Sequence, residues 1–143
     1  MSIAQLVLAP IAATEHADAL LEVAFLMSAV DGHLAEDEQA VFAELVGRVR
    51  GRDVTQAEID ELLGRFVVAV HAAGPADRVR EVGPTIPVNL REVAFKVAVG
   101  LALVDHDASE QEDELVGILG ATLGLAERAI ALAAEGRQAA GAD

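Results

Sequence analysis

Two short acidic segments hold the residues best suited to chemistry. The first contains Asp31, Gly32, His33, Glu36, Asp37 and Glu38. The second contains Asp105, His106, Asp107, Ser109, Glu110, Glu112, Asp113 and Glu114. An Asp and a Glu stand seven residues apart in each, Asp31 with Glu38 and Asp105 with Glu112. Carboxylates converging in a loop suit hard cations such as calcium or magnesium. The main candidate metal ligands are therefore Asp31, Glu38, Asp105 and Glu112. Asp107, Glu36, His33 and His106 are secondary candidates, and the histidines would shift preference towards zinc. Neither segment is an EF-hand. Asp105, Asp107 and Ser109 match loop positions 1, 3 and 5, but Val116 stands where a bidentate Glu is needed. The first segment lacks ligands at positions 3 and 5. The same acids also have a reading without metal, because the dipole and free N–H groups of a helix's first turn favour them.

The elements that would position these loops are helical. Val41, Phe42, Leu45, Val46 and Val49 share one helix face, and Ile59, Leu62, Leu63, Phe66, Val67 and Val70 share another. No run alternates cleanly enough for a strand. Thr55 with Glu58 and Ser109 with Glu112 have capping-box spacing, and Asn89 with Glu92 has it with Asn as the cap. The pattern predicts helices near 14–30, 35–50, 55–73, 89–104, 109–121 and 125–137, with a shorter turn at 76–82. Gly83 to Pro87 is expected to be an extended connector. Helices 17–30 and 90–104 are apolar nearly all round, so they belong at the centre of a bundle. Gly100 inside the second costs about 1 kcal/mol relative to Ala, which a close helix crossing would explain. After a buried helix, Gly32 suits the left-handed turn that would bring Asp31 towards Glu38.

The two halves are related in pattern. Sliding residues 22–49 by 74 superposes them on 96–123 with seven of 28 pairs identical, among them Asp31/Asp105, Glu36/Glu110 and Glu38/Glu112. A second register exists, because residues 22–25 recur verbatim at 92–95. The shift of 74 superposes the polar loops as well as the helices. The expected fold is thus all-α, a compact single domain over 1–143 with about six to seven helices. Its pseudo-repeated halves would span about 15–73 and 89–137, joined by a connector at 74–88.

The chain carries a net charge of −14, has 53% hydrophobic residues and lacks cysteine. That much apolar content argues for a folded core rather than disorder. The charge argues against nucleic-acid binding, which needs a basic patch, and against an anionic membrane surface. No thiolate site or disulfide is available. The most apolar stretches, 19–30 and 93–104, are about 12 residues long, short of a membrane span. The N-terminus lacks the charged start of a signal peptide. Together these features read as a soluble, cytoplasmic protein.

The run Asp31, Gly32, His33, Leu34 and Glu38 follows an apolar helix and is echoed in a second half. It resembles the TerB-like family of tellurite-resistance and stress-response domains. The resemblance covers roughly residues 15–130. It implies a compact helical domain with a repeated Asp-Gly-x-hydrophobic-x-x-x-Glu pattern whose acids chelate a metal. It also implies a non-enzymatic binding or scaffold module acting near the membrane. Asp31, Gly32 and Glu38 match the first motif, and Asp105 and Glu112 match the second. There His106 replaces the Gly and Ala108 the larger hydrophobe.

Other chemistry has less support in the sequence. The histidines at 16, 33, 71 and 106 form no zinc-protease or di-iron spacing. His106-Asp107 in a helical chain resembles the metal-dependent HD phosphohydrolases. His71 could serve as the upstream ligand, but Asp113 is too near to close the site and Asp143 is the last residue. Ser109 fits a cap, and Ser28 lies in an apolar helix, so no nucleophile stands out. Arg48, Arg50 and Arg52 fall at a helix end, where cations favour the dipole. The sequence thus points to a stress-response module with two cation-binding acidic loops and a protein partner presenting a basic or membrane-associated surface. A metal-free helical interaction domain is the alternative.

Overall fold

The computed structural model describes residues 3–28, 36–102 and 110–141, with side chains described at 3–28, 36–102 and 114–139. These residues form seven α-helices and no strand. In chain order they are α1 (Thr14–Ser28), α2 (Glu36–Arg50), α3 (Gln56–Ala73), α4 (Pro75–Val82), α5 (Val88–Ala102), α6 (Glu110–Thr122) and α7 (Ala129–Gly141). The all-helical class follows from the 3.6-residue apolar spacing.

The two apolar helices are the centre of the bundle, as their composition requires. In α1 every residue from Ala19 to Ser28 is buried, Glu22 included. In α5 Phe95 and every residue from Val97 to Ala102 are buried. α5 lies along α1 on one side and along α7 on another. The remaining helices turn one face inward. Phe42, Leu45, Val46 and Val49 of α2 are buried, as are Ile59, Leu62, Phe66 and Val70 of α3. All four phenylalanines are in the core, and the rings of Phe25 and Phe66 meet with centroids 5.7 Å apart. A tilted pair at that separation adds specificity to the burial.

The expected close crossing at Gly100 is present, and its partner is Gly136 of α7. A Cβ at Gly100 would sit 2.9 Å from the Gly136 carbonyl oxygen. A Cβ at Gly136 would sit 2.5 Å from the Lys96 carbonyl oxygen. The two backbones therefore approach where neither helix has a side chain.

Several boundaries differ from expectation for local reasons. α5 opens at Val88, so Asn89 lies within its first turn rather than at its cap. The segment Gly83–Thr85 winds into a 3-10 turn, closed by the Ile86 N–H donating to the Gly83 carbonyl at 3.0 Å. Ile86 is extended after that turn, and its side chain is fully buried. α7 starts four residues later than expected. Gly124, at φ 73°, ends the preceding helix, and a 3-10 turn at Ala126–Arg128 intervenes. The Thr55 cap is as expected. Its hydroxyl accepts from the Glu58 N–H at 3.2 Å, and the Glu58 carboxylate accepts from the Thr55 N–H.

Two pairs of helix starts stand 74 residues apart. Thr14 and Val88 open α1 and α5, and Glu36 and Glu110 open α2 and α6. The packing does not carry the relation through to the third helices. α7 lies along α5, whereas α3 touches α1 only briefly and leans on α4 as well.

Candidate functional site

The predicted cation ligands divide sharply. Asp31, His33, Asp105, His106 and Asp107 lie outside the described residues, as do Gly32 and the Ser109 cap. Glu112 is placed by its backbone in the first turn of α6, and its side chain lies outside the described set. Glu36 and Glu38 are described, and the first turn of α2 treats them differently. Glu36 is exposed, while Glu38 is buried, with 3% of its surface accessible. A buried carboxylate is costly unless it is bonded or paired. Its position beside the free N–H groups and positive end of α2 is the favourable one for an anion. Among the described residues, no group of three or more His, Asp or Glu is arranged to hold a metal ion.

The charged chemistry that the described residues do bring together is guanidinium–carboxylate pairing. Glu22, alone among the apolar residues of α1, is held by Arg78 of α4. Arg78 donates from Nη2 to one Glu22 oxygen at 3.0 Å and from Nε to the other. The pair is fork-shaped, and only 7% of the Glu22 side chain is exposed. The Glu22 hydrogen bond raises the Arg78 pKa above the ordinary arginine value, against the opposing effect of burial. Asp18, one turn earlier, accepts from Arg50 at 2.8 Å and from Arg65 at 3.5 Å. A carboxylate inside the apolar stretch 19–30 is itself the sequence signal that a cation must meet it.

Arg48 and Arg50 lie in the last turn of α2, as expected, and with Arg52 they also act as tethers. Arg48 donates from Nε to the Val7 carbonyl at 2.7 Å, fastening the amino-terminal strap, residues 3–13 ahead of α1. Arg50 crosses to Asp18, and Arg52 pairs with Glu58 at 2.8 Å. The Arg52 hydrogen bond holds the Glu58 carboxyl below the usual glutamate range. Glu58 also closes the Thr55 capping box, so its charge serves two contacts. A carboxyl whose pKa falls on folding stabilises the fold above its unfolded pKa and stops doing so as pH drops through the folded one. Glu58→Gln should therefore lower the urea midpoint at neutral pH. The difference from wild type should shrink in acid, beginning in the usual glutamate range and completing as pH falls through the lower folded pKa. A difference that is flat with pH would contradict this account.

Ser28 spends its hydroxyl on the Ala24 carbonyl at 3.0 Å, within its own helix. His71 is exposed in the last turn of α3. No helix is long and apolar enough to cross a membrane among the described residues.

Comparison with family models, with curated proteins and with solved structures gives no match to this chain. The functional reading therefore rests on its own residues and on the motif resemblance.

Proposed function

We propose that this chain is a non-enzymatic TerB-like stress-response module, in which a divalent cation bound by the two acidic loops stiffens a helical scaffold for a protein partner. Asp31 and Glu38 would supply one set of oxygens, and Asp105 and Glu112 the other. Calcium or magnesium suits all-carboxylate ligands, and His33 or His106 would favour zinc. The observation that carries the reading is the burial of Glu38 at the opening of α2. It turns a carboxylate inward in the first turn of α2, seven residues after Asp31 in the sequence. Glu36 and Glu110 opening α2 and α6 at the 74-residue spacing support an equivalent arrangement in the second half. The partner's surface would be basic or membrane-associated, given the charge of −14. The setting would be the cytoplasm.

Titrating metal-free protein with calcium, magnesium, manganese and zinc tests this. At a cation concentration about 100-fold above Kd, stability should rise by about 2.7 kcal/mol. Asp31→Ala and Glu38→Gln should abolish the rise. No binding at millimolar cation, or binding that both variants retain, would sink the proposal. It would leave the metal-free interaction domain, which the exposed position of Glu36 favours.

A further inference from the structure

We draw no further inference here: the strongest candidate, the pocket of about 420 Å³ between the amino-terminal strap, α5 and α7 around the partly buried Lys96, carries nothing, because Glu135 at 3.9 Å already supplies a counter-charge to the Lys96 ammonium and nothing in the structure shows what fills the pocket.

Discussion

Gly136→Val should lower the unfolding free energy by about 2–3 kcal/mol, read as a drop in the urea midpoint with an unchanged slope. A Cβ at position 136 would press on the Lys96 backbone carbonyl at 2.5 Å. A carbonyl inside a helix cannot rotate away, so α7 would have to lift from α5. The Ala133 and Ala139 contacts on the buried face of α7 would loosen with it. Gly136→Ala meets the same obstruction with a smaller side chain. Its overpacking cost of about 1–3 kcal/mol is partly offset by about 1 kcal/mol of gained helix propensity. Gly64 is the internal control. A Cβ there meets nothing within 4 Å, so Gly64→Ala should stabilise α3 by up to about 1 kcal/mol. If Gly136→Ala stabilised the protein as Gly64→Ala does, the close crossing would not be what fixes glycine at 136.

Arg78→Met should cost about 3 kcal/mol, at the lower end of the range for breaking a buried pair. The lower end applies because 24% of the Arg78 side chain remains exposed. The loss comes from stranding the Glu22 carboxylate in the core beside Ala19, Val23 and Leu26 rather than from the attraction itself. Removing both charges should therefore restore much of it. The double variant Glu22→Leu with Arg78→Met should lie closer to wild type than Arg78→Met alone. Denaturation of the three variants checks this. A double variant that is less stable than the single one would mean that the pair stabilises the fold by itself.

The fold was legible in the sequence wherever one helix face could be read from spacing alone. α2 and α3 show this: Phe42, Leu45, Val49, Ile59, Leu62 and Phe66 announce their inward faces without reference to any other element. The central place of α1 and α5 was legible for the same reason, since a helix apolar all round has nowhere else to go. Gly100 announced a crossing. Gly136 did not, because α7 is rich in Ala and Gly and one more glycine carries no signal there. The Asn89 cap failed because helix-start spacing does not say which of two adjacent residues opens the helix. The candidate cation site was legible as a pattern of acids, of which Glu38 is the member with a described and buried side chain.

Local chemistry by itself therefore determined the helical class, the identity of the central helices, the Thr55 cap and the positions of the acidic segments. These depend on residues within a few turns of one another. The tertiary structure decided the pairings: Arg78 with Glu22 across 56 residues, Arg48 with the Val7 carbonyl across 41, and Gly136 against Lys96. Ten Lys and Arg face 24 Asp and Glu, and nothing in the order of residues says which will meet. Charge attraction is long-ranged and unspecific, so the partner is chosen by whichever helices the apolar core brings side by side.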